Sequence, residues 1–109
     1  MCIRDSSLPV VRGAVEAHAW HLFAIVVGSD ASISRDQLID SFAQENIGLS
    51  VHYKPLHRLS YYKNLYLTTP EMFPEAERIW KGSVSLPIYP SLTYDEQSRV
   101  IERLYHYFR

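Results

Sequence analysis

The chain has 109 residues, of which 47% are hydrophobic and 21% are charged, a composition typical of one small globular domain and not of a disordered chain. The formal net charge of −1 lacks the positive excess that attracts nucleic acids or anionic membranes, so we expect neither as a partner. The longest apolar run, LFAIVV, is too short to cross a bilayer. A single cysteine excludes an internal disulfide and favours a reducing, cytoplasmic setting.

The first six residues, MCIRDS, show no periodicity and no relation to the residues that follow. Their back-translation matches the end of a common transposase sequencing adapter. We therefore expect residues 1–6 to derive from an adapter, and segments of this kind are set aside before a fold is inferred. Residues 7–109 then form the domain, and Cys2 does not belong to the natural protein.

Three segments predict strands. The apolar run HLFAIVV at 21–27 ends at Gly28 and is typical of a buried strand. A second short strand is predicted at Leu49–Tyr53, where Pro55 ends it by removing a ladder donor. SVSLPIYP at 83–90 lies between turn signals and predicts a third strand.

Helices are predicted between these strands and after them. Ser34 and Gln37 form a capping box at one helix start, and Thr93 and Glu96 form another. Pro74 suits the first position of a helix that runs to about residue 81, and SYYKNLY at 60–66 is a candidate helical turn. The apolar positions at helical spacing are Leu38, Ile39, Phe42 and Ala43 in the first helix, and Val100, Ile101, Leu104, Tyr105 and Phe108 in the last. The order of elements predicts an α+β fold, a small sheet covered by helices.

Most common catalytic and metal-binding patterns are missing. Four histidines could be gathered as ligands, but no CxxC, HExxH or HxH spacing occurs, so we predict no metal site at His18, His21, His52 and His57. There is no GxSxG nucleophile elbow. Scattered glycines do not form a phosphate-binding loop.

One segment, VHYKPLH at 51–57, combines polar and aromatic side chains at a predicted strand end, where function is often found. The alternative is structural: His57 caps backbone carbonyls and Tyr53 fills the core, and spacing alone favours it. The tyrosines at 61, 62 and 66 suggest packing or an interface. A solvated helix face is the simplest interpretation of Glu75, Glu77, Arg78 and Lys81.

Several segments together resemble, in order, the C-terminal part of the DegT/StrS sugar-nucleotide aminotransferases, over about residues 18–104. They are AWHLFAIVV, RDQLI, NIGLSVHYKPLH, YYK, FPEAERI and SVSLPIYPSLTYDE, of which HYKPLH and SLPIYPSLT are the most specific. The resemblance implies the small C-terminal domain of a fold-type I pyridoxal-phosphate enzyme, an antiparallel sheet with covering helices. It implies transfer of an amino group, usually from glutamate, to a nucleotide-linked keto sugar for polysaccharide, lipopolysaccharide or antibiotic synthesis. It also implies a homodimer with active sites at the subunit interface.

The resemblance places His52 and Tyr53 at the rim of the active site, near cofactor and sugar, with His57 as a further rim residue. A diphosphate linker needs hydrogen-bond donors and positive charge, which Lys54 and Arg58 could supply. In this family the Schiff-base lysine, the pyridine carboxylate and the phosphate cradle lie in the upstream large domain. Lys54, Lys63 and Lys81 do not match the lysine motif, so we expect no catalytic residue in this chain and no activity from it alone.

Other functions stay open on the sequence. A sugar dehydratase of the same family has histidine in place of the cofactor lysine, at a position upstream of this chain. A stand-alone α+β ligand-binding or regulatory module would need a closed hydrophobic core, whereas a bare sheet face or bare tyrosines at 61–66 would imply a missing partner domain. A purely dimerising or structural element is a further alternative that no feature of the sequence requires.

The adapter hypothesis predicts the sequence of the gene upstream of the codon for Ser7. We expect natural DNA to continue there in frame for a few hundred codons, without the MCIRDS codons and with a cofactor lysine. Sequencing that region tests it, and a ribosome-binding site followed by a start codon at Met1 would contradict it.

Overall fold

The computed structural model describes residues 2–3 and 5–108. Within them, four short antiparallel strands form one sheet in the order β1-β2-β3-β4. The strands are β1 (Cys2–Ile3), β2 (Ser6–Ser7), β3 (Phe23–Val27) and β4 (Ser83–Leu86). The helices are α1 (Arg35–Gln44), α2 (Ser60–Tyr66), α3 (Pro74–Gly82) and α4 (Tyr94–Tyr107). Short 3-10 turns cover Val15–Ala17, Leu56–Arg58 and Pro70–Met72. The predicted α+β fold, a small antiparallel sheet with covering helices, is confirmed.

The centre of the sheet is the β3–β4 pair. Ile25 lies opposite Val84, and Phe23 lies opposite Leu86. Ile25, Val27 and Val84 are buried, because every second side chain of a strand points to the same face. The predicted strand at 21–27 is therefore confirmed as β3, which begins two residues later than predicted, at Phe23. β4 is shorter than the predicted strand at 83–90, since Pro87 follows Leu86 and cannot donate to a ladder.

The strand predicted at Leu49–Tyr53 is wrong. Only Ser50 pairs with the sheet, through an isolated bridge to Ser85 in which the two backbones exchange hydrogen bonds of 3.2 and 2.7 Å. Beyond the bridge the chain leaves β4 and reaches a 3-10 turn at Leu56–Arg58. Pro55 precedes that turn and lacks the N–H that a longer ladder would use. The segment is thus a loop anchored to the sheet at one end.

Both predicted capping boxes form. The N–H of Ser34 donates to Gln37 Oε1 at 3.0 Å, and the N–H of Gln37 donates to Ser34 Oγ at 3.3 Å. At α4 the N–H of Thr93 donates to Glu96 Oε2 at 2.9 Å, and the N–H of Glu96 donates to Thr93 Oγ1 at 3.3 Å. Asn46 has a φ of 59° just beyond α1, the left-handed conformation that ends helices. The predicted helical segments at 60–66 and 74–81 are also confirmed, as α2 and α3.

The hydrophobic core lies between one face of the β3–β4 pair and helices α1 and α4. Its buried members are Ile25, Val27, Leu38, Phe42, Ile47, Val84, Val100, Leu104 and Phe108. The predicted apolar faces of the helices are too wide, because Ala43, Ile101 and Tyr105 are exposed. Only Leu38 and Phe42 of α1 and Val100 and Leu104 of α4 are buried within these helices. Ile39 packs partly buried at the margin of this core.

Two residues of the predicted adapter segment form β1, and Ser6 begins β2. The adapter origin of residues 1–6 stays a prediction. No helix within residues 2–3 and 5–108 combines the length and the apolar character needed to cross a lipid bilayer.

Gly82 joins α3 to β4 at a point where its backbone lies close to that of β3. A Cβ at this position would lie 2.3 Å from the carbonyl oxygen of Val27 and 2.9 Å from Val26 Cγ1. We expect Gly82→Ala to lower the free energy of unfolding by about 1–3 kcal/mol, the usual cost of overpacking. Gly48→Ala is the matched control, because a Cβ there meets nothing within 4 Å. Chemical denaturation of both variants tests this, and equal losses would contradict it.

Candidate functional site

The HYKPLH segment, residues 52–57, lies between the Ser50–Ser85 bridge and α2. His52 is half-buried, with Nδ1 3.0 Å from Ser85 Oγ. Because Val84 points into the core, Ser85 lies on the opposite face of the sheet. His52 is therefore fixed to the sheet face that is turned away from α1 and α4. Its ring meets the Tyr53 ring edge-on, with centroids 4.9 Å apart.

Tyr53 and Lys54 project from the segment. The Tyr53 side chain is 78% exposed, so the alternative in which it fills the core is wrong. Lys54 is also exposed, and within residues 2–3 and 5–108 it has no ion-pair partner. A phenol and an ammonium group are thus presented side by side next to the half-buried imidazole of His52. Together they can donate hydrogen bonds and positive charge to a polar ligand.

His57 faces the interior of the protein. It is buried, its Nε2 lies 2.6 Å from Glu77 Oε1, and its ring stacks on Phe73 with centroids 4.7 Å apart. Thr68 Oγ1 donates a 3.0 Å hydrogen bond to the His57 carbonyl oxygen. The ring of His57 therefore binds a carboxylate. The structural alternative, in which His57 caps backbone carbonyls, is wrong.

Arg58 binds the same carboxylate with two nitrogens. Its Nε donates to Glu77 Oε1 at 2.6 Å and its Nη2 donates to Oε2 at 2.7 Å. The guanidinium carbon lies 4.7 Å from the centroid of the Trp80 ring, a cation–π distance. The hydrogen bond to Glu77 raises the pKa of Arg58. Its charge is already paired, so it is less available to a ligand than the charge of Lys54.

Glu77 lies at the centre of these contacts. It is 6% exposed, so its assignment to a solvated helix face is wrong, whereas Glu75, Arg78 and Lys81 are exposed as predicted. The hydrogen bond from Arg58, assisted by that from His57 and opposed by burial, lowers the pKa of Glu77 from 4.5 to about 2. A sequence signal was present, since Phe73, Glu77 and Trp80 share one helical face at i, i+4 and i+7. A carboxylate between two aromatic positions on one face indicates a buried partner.

The structure thus divides the predicted site residues into two groups. His52, Tyr53 and Lys54 lie at or near the surface, whereas His57 and Arg58 are held together by Glu77. Their roles toward a substrate stay predictions. Among the residues described, no three His, Cys, Asp or Glu side chains come together as metal ligands.

Comparisons with known proteins agree with this architecture. The model of the DegT/DnrJ/EryC1/StrS aminotransferase family matches residues 4–105. The spore coat polysaccharide biosynthesis protein SpsC of Bacillus subtilis is 39% identical over 87 residues, covering 78% of this chain and 22% of SpsC.

Two solved structures share the fold. S. venezuelae DesV, in complex with a ketimine intermediate, superposes with a TM-score of 0.78 at 28% identity, covering 98% of this chain and 27% of DesV. The PLP form of the putative sugar aminotransferase Spr1654 from Streptococcus pneumoniae gives a TM-score of 0.67 at 32% identity, covering 75% of this chain and 21% of Spr1654. The fold is therefore that of the matching part of these aminotransferases. The chain belongs to the DegT/DnrJ/EryC1/StrS aminotransferase family and spans about a quarter of the length of these relatives.

The family implies pyridoxal phosphate, which needs a lysine in a pocket closed to water, a carboxylate on its pyridine nitrogen and a cradle for its phosphate. The lysines of the sequence are Lys54, Lys63 and Lys81, and each is exposed. A cleft of about 730 Å³ lies between β2, residues 28–37 and α3, and none of the HYKPLH residues lines it. The described residues do not form a cofactor site by themselves.

The lowered pKa of Glu77 predicts a pH dependence of stability. Since the folded pKa of about 2 lies below the unfolded value of about 4.5, the charged carboxylate stabilises the fold above about pH 5, and this is lost as the pH falls toward 2. The stability difference between wild type and Glu77→Gln should shrink over that range. Glu75→Gln is the control for one charge lost from the same helix. Denaturation at several pH values measures both, and equal pH dependence would contradict the prediction.

Proposed function

We propose that residues 7–109 are the C-terminal small domain of a pyridoxal-phosphate-dependent sugar aminotransferase. In this proposal the whole enzyme moves an amino group from glutamate to a nucleotide-linked keto sugar, for polysaccharide, lipopolysaccharide or antibiotic sugar synthesis. The family match over residues 4–105 is the observation that carries it. The substrate class is supported by SpsC, a spore coat polysaccharide biosynthesis protein, and by Spr1654, a putative sugar aminotransferase. We further propose a homodimer in the cytoplasm.

The exposed part of the HYKPLH segment supports a substrate-side role. Tyr53 offers a hydroxyl that can donate and accept, and Lys54 offers an ammonium group to the diphosphate linker. His52 sits behind them, held by Ser85. The paired charge of Arg58 makes Lys54 the stronger candidate for the phosphate contact, while His57 acts from beneath the rim.

The reactive chemistry comes from outside the described residues. When bound, pyridoxal phosphate serves as the electron sink that lets the amino group leave one carbon and join another. The exposed positions of all three lysines support a cofactor site in a large domain of the same polypeptide. This chain contributes the orientation and charge at the rim, and alone it is inactive.

Exposed apolar surface supports a large neighbouring domain. The segment from 53 to 72 leaves large apolar side chains in solvent, and those more than half exposed are Tyr53, Leu56, Tyr61, Leu65, Tyr66, Leu67 and Met72. Patches of this kind mark interfaces. The occupant we propose is the rest of a polypeptide of the relatives' length, of which this chain spans about a quarter.

The function is tested with the full-length enzyme and 2-oxoglutarate release from glutamate in the presence of nucleotide keto sugars. We expect turnover by the full-length enzyme and none by residues 1–109 with added pyridoxal phosphate. Lys54→Ala should raise the KM for the nucleotide sugar about tenfold, the value of one charge-assisted contact, and Lys63→Ala on α2 is the control. Turnover by the isolated chain would contradict the proposal, and a histidine at the cofactor-lysine position would indicate a sugar dehydratase.

A further inference from the structure

We propose that Glu77 is a positioning residue for the exposed rim of the HYKPLH segment, which consists of Tyr53 and Lys54. The Glu77 clamp comprises the Glu77 carboxylate and its two partners, His57 and Arg58, between the rings of Phe73 and Trp80. Its effect on local order does not depend on the reaction. Its effect on substrate binding rests on the proposed function.

The clamp uses both oxygens of one buried carboxylate. Oε1 accepts from His57 and from Arg58 Nε, and Oε2 accepts from Arg58 Nη2. An ionised carboxylate only accepts hydrogen bonds, so His57 Nε2 carries the proton in this contact. The bidentate contact of Arg58 with Glu77 fixes the relative orientation of the two groups as well as their separation. Truncating Glu77 would leave a buried imidazole and a guanidinium without their acceptor.

The clamp lies at one end of the exposed rim and a second anchor lies at the other. Before the rim, Ser50 bridges to Ser85, and His52 Nδ1 lies near the hydroxyl of the same serine. After the rim, the turn Leu56–Arg58 is closed by a 2.9 Å bond from Arg58 N–H to the Pro55 carbonyl. Tyr53 and Lys54 therefore span a short stretch between two fixed points.

Both anchors belong to one continuous piece of structure. Glu77 is on α3, Ser85 is on β4, and β4 begins at Ser83, directly after the last residue of α3. A short loop tied at both ends to one rigid unit has few conformations left. Without the clamp, the end of the rim near Leu56–Arg58 keeps the Thr68–His57 hydrogen bond but loses its ionic attachment to α3, and the positions of Tyr53 and Lys54 spread.

The first test uses wild-type full-length protein labelled with ¹⁵N-histidine. We expect NMR to show a protonated Nε2 on His57 whose proton exchanges slowly with solvent, because it is buried against Glu77. An unprotonated Nε2, or a proton exchanging at the rate of an exposed histidine such as His21, would overturn the proposal. No variant is needed, so a folding defect cannot obscure this result.

The second test is hydrogen exchange measured by mass spectrometry in Glu77→Gln, with Glu75→Gln as matched control on the same helix. We expect exchange at residues 55–60 to accelerate about tenfold in Glu77→Gln while α1 and α4 stay within about twofold, the signature of local opening. Equal acceleration throughout, or none at 55–60, would overturn the proposal. If Glu77→Gln does not fold, Arg58→Lys, which keeps the charge but loses the two-pronged contact, is measured with the same criteria.

The functional readout separates positioning from general stability. In the full-length enzyme we expect Glu77→Gln to raise the KM for the nucleotide sugar about tenfold with kcat changed less than about twofold, because binding geometry is lost and not the chemistry. A fall in kcat with unchanged KM would overturn the positioning role. An inactive wild-type enzyme would instead refute the proposed function, and the exchange result would then decide the local role of Glu77.

Discussion

The antiparallel pairing of β3 with β4 is the constraint on which the rest of the structure depends. One face of the pair, through Ile25 and Val84, forms the core with α1 and α4. The other face carries Ser85, which holds His52. α3 leads directly into β4 at Gly82, where the Val27 carbonyl leaves no room for a Cβ. The β3–β4 pair thus supports the core on one face and the candidate site on the other.

The candidate site combines two exposed side chains with a buried cluster of ionic hydrogen bonds. Tyr53 and Lys54 face solvent, while Glu77 is buried and binds His57 and Arg58. A buried carboxylate is costly unless its charge is paired and hydrogen-bonded, and here both oxygens are used. The arrangement separates two tasks, since groups that could meet a ligand are distinct from groups that hold the backbone in place.

Three features of the chain bear on the proposed neighbouring domain. The chain spans about a quarter of its relatives, its lysines are all exposed, and its α2 region presents tyrosines and leucines to solvent. A stand-alone module would be expected to cover such side chains. The same features support the proposal that this chain is one domain of a longer polypeptide.

The sequence by itself determined the local elements and the family. The capping boxes at Ser34 and Thr93 formed as predicted because each depends on side chains three residues apart, and the strand at 21–27 followed from its continuous apolar run. The ordered motifs from AWHLFAIVV to SVSLPIYPSLTYDE indicated the family without any coordinates. These signals depend on residues that are close together in the sequence, so they can be recognised without the folded structure.

Only the tertiary structure shows that Leu49–Tyr53 is not a strand and that Glu77 is buried among its partners. The strand failed because a ladder needs a partner along its whole length, and beyond Ser50 the chain leaves β4. Glu77 looked like part of a solvated face because its partners, His57 and Arg58, are about twenty residues away in the sequence. The burial and the pKa of a side chain depend on neighbours that only the folded chain brings together.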